Sequence, residues 1–338
     1  MLSLLLVSLS ATRTPQVLRL RDATTKQPIS LVGTVHYNPG SVATSKEEVR
    51  TAIKQNAKVG ALVVESCQSR WTRSLELAPP GSAVAGFICS EMQGAAGVAH
   101  ESGVPVMLGD ADAGPFVERV RSLAKQSARE LLDPFSGGWG AVYSDFARTL
   151  PATFDTSDIA ESELLGEGEA PLSPLDYVRP EILVGFLASL VRYPAAFALK
   201  APLPFAAFAT FVYALDSTAG ELDALAETSI AAGDVVSLPV LGTLVFSAAT
   251  TALSVLTARL LLVAFLEERN AELARSIRRA ASESDGAVVA ILGGLHVNGV
   301  ARLLMSTETP DADTVATERT ADGVWWEVPS GVEPAKWV

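Results

Sequence analysis

Residues 287–296 read AVVAILGGLH, and residues 28–36 read PISLVGTVH. In each stretch an apolar run is followed by Gly-x-x-His, which ends in His296 and in His36. Short apolar runs that end at glycine are typical of strands buried on both faces of a sheet. The two stretches therefore predict two core strands, each followed after the same spacing by an imidazole.

Further strands and helices are expected on both sides of these stretches. Strand, helix and strand follow one another between residues 28 and 64, which implies parallel pairing. The expected elements are a hairpin of residues 17–21 and 28–32, a helix from the capping-box residue Ser45 to about Ala57, a strand at 61–64, a helix at about 81–101, a strand at 104–108 and a late edge strand at 324–326. We predict a mixed α/β fold in which a central, mostly parallel sheet is flanked by helices.

The predicted domain covers residues 17–304, with an apolar helical insertion at about 181–266. Residues 1–16 form a separate N-terminal segment. Its short apolar run has no basic residue in front of it, so a weak signal, a transit segment and a first strand all remain open. Residues 305–338 form a C-terminal extension.

The insertion contains two uncharged segments, residues 201–215 and residues 235–258. The second has 24 residues, more than the roughly 20 that a membrane-spanning helix needs. If His36 and His296 share a site, the chain crosses a membrane an even number of times between them. The segments are therefore either an inserted hairpin or buried or peripheral helices, and membrane association is expected in an unidentified organelle.

The charge balance excludes one class of partner. The chain of 338 residues has a formal net charge of −12 and contains no block of Lys and Arg. An acidic chain repels phosphate backbones, so nucleic-acid binding is not expected. Cys67 and Cys89, the two cysteines, are too few for a disulfide framework and leave the redox compartment open.

Candidate chemical groups follow the predicted strands. His36 and His296 are two of only three histidines, and the third, His100, is expected to be structural. Glu65 directly follows one strand and Asp110 follows another, where a buried acid is costly unless it is paired or metal-bound. Two imidazoles with carboxylates match the ligands of hydrolytic centres that hold Zn, Mn or Co. The same groups can also work without a metal, with one histidine as base and Glu65 as proton shuttle.

Three further polar residues are candidate substrate-binding groups. Arg70 could bind a substrate carboxylate or pair with Glu65. Arg269 and Asn270 lie where a helix emerges from the apolar insertion, so they are either substrate-binding residues or part of a solvated boundary.

Together these motifs resemble the TraB/PrgY/GumN family, which includes the Tiki proteases. The resemblance runs from about Val17 to Leu304 and rests on six motifs in order: Gly33-Thr34-Val35-His36, Val64-Glu65-Ser66-Cys67-Gln68-Ser69-Arg70, Glu91-Met92, Leu108-Gly109-Asp110, Glu268-Arg269-Asn270, and Gly293-Gly294-Leu295-His296-Val297-Asn298-Gly299. Each motif alone is weak, whereas six in order are fairly specific.

The resemblance implies a fold related to erythromycin-esterase-like and ChaN-like domains, with both Gly-x-x-His motifs and a glutamate in one cleft. It also implies that His36 and His296 are metal ligands or catalytic, with Glu65 as the third member, because Tiki members resemble proteases that use Mn or Co. Ala111 departs from the family, which usually has an arginine after Gly-Asp. Many family members also carry membrane spans after the last histidine motif, whereas the apolar segments of this chain precede it.

These observations lead to one main hypothesis and two alternatives. The first is a divalent-metal-dependent hydrolase of a peptide or protein, in which His36, His296 and Glu65 hold the metal and Glu65 or Asp110 accepts the proton of the bound water. The second is a catalytically idle, membrane-associated module that binds a peptide or a regulator. The third is a metal-free, esterase-like hydrolase.

Overall fold

The computed structural model describes residues 14–56, 58–133, 135–157, 159, 163–166, 169–232, 238–307 and 323–338. Most of the expected N-terminal segment 1–16, the first residues of the apolar segment 235–258 and residues 308–322 of the C-terminal extension lie outside this description.

The apolar runs form the strands of one mixed sheet. The strands are β1 Val17–Arg21, β2 Pro28–Thr34, β3 Val59–Val64, β4 Val106–Leu108, β5 Ala287–Gly293 and β6 Val324–Trp325. Their order across the sheet is β1-β2-β5-β3-β4-β6. The four central strands are parallel, and the first and last pair with them in antiparallel fashion, so the predicted hairpin, the mostly parallel sheet and the late edge strand are confirmed.

Helices cover both faces of the sheet and build the insertion. They are α1 Pro39–Gln55, α2 Gln68–Leu77, α3 Ala83–Ile88, α4 Glu91–Glu101, α5 Ala113–Leu131, α6 Gly138–Phe154, α7 Pro180–Lys200, α8 Pro202–Ala231, α9 Leu238–Leu260, α10 Glu268–Glu283 and α11 Gly294–Met305. Short 3₁₀ turns occupy Pro174–Tyr177 and Pro334–Trp337.

Two helices start elsewhere than the sequence predicts. The first helix begins at Pro39 rather than Ser45, because the Asn38 side chain accepts hydrogen bonds from the first free backbone N–H groups and proline is favourable at the first helical position. The predicted helix at 81–101 is two helices, since Ser90 forms a capping box with Gln93 and starts a new one.

Alternate residues of the central strands face opposite cores. Val32, Leu62 and Ile291 point into the core beneath α1 and α4. Leu31 and Val63 point into the core beneath α10 and α11. Because both faces are covered, the strands are apolar throughout instead of alternating.

The described end of the C-terminal extension packs onto the first of these cores. Trp326 and Trp337 lie within 6.1 Å of each other by ring centroids, and both contact the ring of Trp71 edge-on. Residues 323–338 thus belong to the same folded unit as the sheet.

The expected insertion forms α7, α8 and α9, and much of its apolar surface is exposed. Within the part of the chain that the structure describes, two helical stretches have the length and composition to cross a membrane, Pro180–Lys200 and Leu238–Glu283. The second contains most of the predicted segment 235–258. The first is α7 rather than residues 201–215, which lie in the N-terminal half of α8.

One continuous helical path connects the insertion to the sheet. The helix α9 passes into a π-helical segment, Leu261–Glu267, which passes directly into α10. A π turn shifts the angular position of the residues that follow it, and such turns occur frequently at functional sites. Here the shift occurs immediately before Arg269 and Asn270.

Candidate active site

The strand order brings the candidate residues together. The last strand in the core, β5, inserts between β2 and β3, so the chain segments that carry His296, His36 and Glu65 leave neighbouring strands at the same edge of the sheet. Gly293 ends β5 at the centre of this group. A methyl group added there would lie 3.3 Å from both Glu65 Oε2 and His36 Nε2, and 3.5 Å from His296 Cδ2.

His36 is held by a buried carboxylate that the chemical argument from sequence missed. Its Nδ1 lies 2.6 Å from Glu91 Oε1, and Glu91 Oε2 accepts a hydrogen bond from the Tyr37 backbone. Burial lowers the pKa of His36, but the charge and the hydrogen bond of Glu91, together with the charge of Glu65, outweigh burial and raise that pKa to about 9. His36 is therefore an imidazolium at neutral pH, with Nε2–H directed toward Gly293.

His296 has a neutral partner, and its pKa shifts in the opposite direction to that of His36. Its Nδ1 lies 2.7 Å from Asn270 Oδ1, which places Asn270 behind the imidazole and not against a ligand. Burial lowers the pKa of His296, and the nearby Glu65 charge only partly opposes this effect. The ring is therefore neutral at pH 7, with Nε2 at 3.4 Å from Glu65 Oε1.

Glu65 lies beneath the two imidazoles and is fully engaged. Arg269 Nη2 donates to Oε1 at 2.5 Å, and the Gly293 backbone N–H donates to Oε2 at 2.5 Å. Burial works against ionisation, but Arg269 and the two histidines hold the pKa of Glu65 at about 2. A carboxylate with so low a pKa is a weak base, so Glu65 is suited to orienting and neutralising its neighbours.

Asp110 is a counter-ion for two arginines. It accepts hydrogen bonds from Arg269, from Arg70 and from the Ala111 backbone. Burial raises the pKa of Asp110, but the two guanidinium groups hold it well below its ordinary value. Arg70 thus pairs with Asp110 rather than with Glu65, and its Nε also donates to Cys67 Sγ.

A large cavity opens over the two histidines. Its volume is about 1260 Å³, and Arg269 lines it beside both imidazoles. Neither Glu65, Asp110, Arg70 nor Asn270 contributes to its wall. The rest of the lining is mainly apolar and comes from the end of α6, the loop before α7, α7 itself, the π-helical segment and the start of α11. Its members include Phe154, Leu172, Phe186, Leu190, Leu262, Phe265, Leu266 and Leu295.

The donor set fits a metal only in part. The Nδ1 atom of each histidine is held by a side-chain oxygen, which leaves Nε2 toward the cavity as in many metal sites. The third expected ligand, Glu65, has both oxygens bonded, and the Arg269 charge beside it disfavours a cation. Among the described residues, no group of three or more His, Cys, Asp and Glu side chains is arranged to hold a metal ion. The two histidines thus fit a metal better than Glu65 does, and the expected Mn, Co or Zn site stays a prediction.

No protein-family model matches this chain, and no curated protein matches it. The arrangement of the side chains around the cavity therefore carries the functional argument.

Proposed function

We propose that this chain is a hydrolase of the TraB type that cleaves an ester or amide bond at His36 and His296 without a resident metal. One observation carries the proposal. Two imidazoles with opposite pKa shifts face one cavity across Gly293, with Glu65 between them. Pairs of titratable groups whose surroundings drive their pKa values apart are the usual mark of an acid and a base that work together.

The neutral imidazole acts as the base. His296 Nε2 takes a proton from a water molecule as that water attacks the substrate carbonyl carbon, and later returns the proton to the leaving group. Glu65, still ionised, stabilises the imidazolium that forms on His296. Asn270 keeps the ring oriented through Nδ1.

The charged imidazole stabilises the transition state. The oxygen of the carbonyl becomes negative when water attacks, and His36 Nε2–H donates a hydrogen bond to it. The helix α11 starts at Gly294, and its first backbone N–H groups lack partners within the helix, so they add positive potential at the same end of the cavity.

Hydrolysis of a panel of short esters and peptides by the purified full chain, in a chelator, tests this proposal. We expect turnover to persist in the chelator and to fall by about 10²–10⁴-fold in His36→Ala and in His296→Ala. His100→Ala is the matched control, because the third histidine lies exposed on α4 and should leave turnover unchanged. Activity that is lost in the chelator and restored by Mn, Co or Zn would instead support the metal-dependent mechanism.

A catalytically idle, membrane-associated binding module is the second candidate function. Ala111, at the position where the resembling family has an arginine, favours it. Absence of any turnover, together with a peptide partner whose binding survives His36→Ala, would support this candidate over the hydrolase.

We also propose that the chain associates with a membrane through α7 and α9. Their length and apolar composition support this, as does the exposed apolar surface of the insertion. Flotation of the full chain with phosphatidylcholine vesicles tests it. If all of the protein stays in the soluble fraction and none floats with the vesicles, membrane association is contradicted.

A further inference from the structure

The cavity has one polar end and a long apolar body. At the polar end lie His36, His296 and Arg269, and none of the described lining residues is acidic. Arg269 uses Nε and Nη2 for Glu65 and Asp110, whereas its Nη1 bonds to none of the described residues. The polar end therefore offers hydrogen-bond donors to an anionic or carbonyl group.

The inner face of α7 forms one wall of the apolar body. Phe186 and Leu190 line the cavity, and Tyr193 on the same face stacks on the His36 ring with centroids 6.4 Å apart. The opposite face of α7 exposes Val184. This helix thus presents apolar side chains both to the cavity and away from it.

The π-helical segment forms a second wall. Leu262, Phe265 and Leu266 line the cavity, and Arg269 follows them one turn later. This segment continues directly from α9, whose Leu244 and Val245 are exposed. Both apolar walls therefore belong to the two helical stretches that are long and apolar enough to cross a membrane.

The size and lining of the cavity select among substrates. Its volume of about 1260 Å³ is larger than the about 300–1,000 Å³ typical of small-ligand pockets. A short peptide or acetyl ester would leave much of the apolar wall in contact with water. A long hydrocarbon chain would lie against the apolar wall along its length and leave its head group beside the imidazoles.

We propose that the substrate is an amphiphile with one long acyl chain, whose carbonyl lies between His36 and His296 and whose chain lies between α7 and the π-helical segment. This inference rests on the proposed hydrolase and specifies what it cleaves. The bond broken is the acyl ester or amide bond. Water supplies the oxygen of the fatty acid that is released, and the leaving group takes the proton from His296.

Photolabelling tests binding separately from turnover. The probe is a palmitate with a diazirine near its methyl end, added to the full chain in phosphatidylcholine nanodiscs. We expect labels on residues 186–194 and 261–266. Labels found only on the outer apolar surfaces, residues 203–213 and 238–245, would show simple partition into lipid and would overturn the inference.

A matched pair of variants on α7 separates the cavity from the outer face. Leu190→Trp fills the cavity and should remove most of the labelling at 261–266. Val184→Trp places the same side chain on the exposed opposite face and should leave that labelling unchanged. Equal labelling in both variants, with equal melting temperatures, would contradict the proposed position of the chain.

Turnover of acetyl, octanoyl and palmitoyl esters of one alcohol distinguishes this inference from the proposed hydrolase. Each additional buried methylene should lower KM by about threefold to fourfold until the cavity is filled. Turnover without any chain-length preference would be consistent with the proposed hydrolase but would overturn the proposal that its substrate has a long acyl chain. Labelling of the cavity without turnover of any ester would show that the amphiphile binds as a ligand and would contradict the proposed hydrolase function.

Discussion

Two arginines on one continuous helical path each pair with two carboxylates, but only one of them lies beside the histidines. Arg269 binds Glu65 and Asp110 next to the two histidines and lines the cavity. Arg259 binds Glu130 and Asp145, is only 2 % exposed and does not line the cavity. A buried ion pair alone is thus no sign of a functional site. The ion pairs of Arg269 differ from those of Arg259 because they lie beside the two histidines and the cavity.

The largest expected effect comes from removing the first arginine. Arg269→Met leaves the buried Glu65 charge without its arginine partner and leaves Asp110 paired with Arg70 alone. We expect about 3–5 kcal/mol less stability in urea unfolding and loss of turnover in the fraction that remains folded. Unchanged turnover per folded molecule would mean that the cation plays no part in the site.

Arg259→Met is the matched comparison on the same helical path. It removes a buried cation from two carboxylates that are about a fifth exposed, so it should cost less, about 1–3 kcal/mol. Turnover per folded molecule should stay close to that of the unchanged chain, because this ion pair joins α5, α6 and α9 away from the histidines. A selective loss of turnover in this variant would remove the distinction between the two regions.

A smaller effect is expected when the partner of His36 loses its charge. In the unchanged chain, activity should fall as pH rises through about 9, where His36 loses its proton. Glu91→Gln removes the charge that raises this pKa, so the alkaline limit should move toward the ordinary histidine value of about 6.5. A pH profile of kcat measures the shift, and an unchanged alkaline limit would contradict the role of the His36 imidazolium.

The same shift makes a prediction for stability. The folded state holds the His36 proton more tightly than the unfolded state does. Its contribution to stability is therefore fully present below about pH 6.5 and is lost as pH rises through about 9. Urea unfolding of the unchanged chain and of Glu91→Gln across this range should show a smaller pH dependence in the variant.

The smallest expected effect concerns the glycine between the imidazoles. Gly293→Ala places a methyl group 3.3 Å from His36 Nε2 and Glu65 Oε2, so we expect about tenfold lower turnover with little loss of stability. Gly140→Ala in α6 adds a methyl group with no atom within 4 Å and should stabilise the chain by up to about 1 kcal/mol without changing turnover. Equal turnover in both variants would show that the reaction does not need the open space beside Gly293.

The strands and their terminal side chains could be predicted from sequence, because buried parallel strands have uninterrupted apolar runs and end in polar groups. The insertion of β5 between β2 and β3 could not, since tertiary packing sets strand order. The role of Glu91 could not be predicted either, because the apolar pattern runs through Gly81 to Glu101 without separating the helix that Glu91 starts from the one before it. The π-helical segment has no local signal that separates it from an ordinary helix.

The central claim is that His36 and His296 act together at one cavity. A double-mutant cycle of His36→Ala and His296→Ala, with kcat/KM for a long-chain ester as the readout, tests it most directly. Substitutions of residues that act as a unit do not have additive effects, so we expect the double variant to be about as impaired as the worse single variant. Losses that multiply, or single variants that retain full activity, would contradict it.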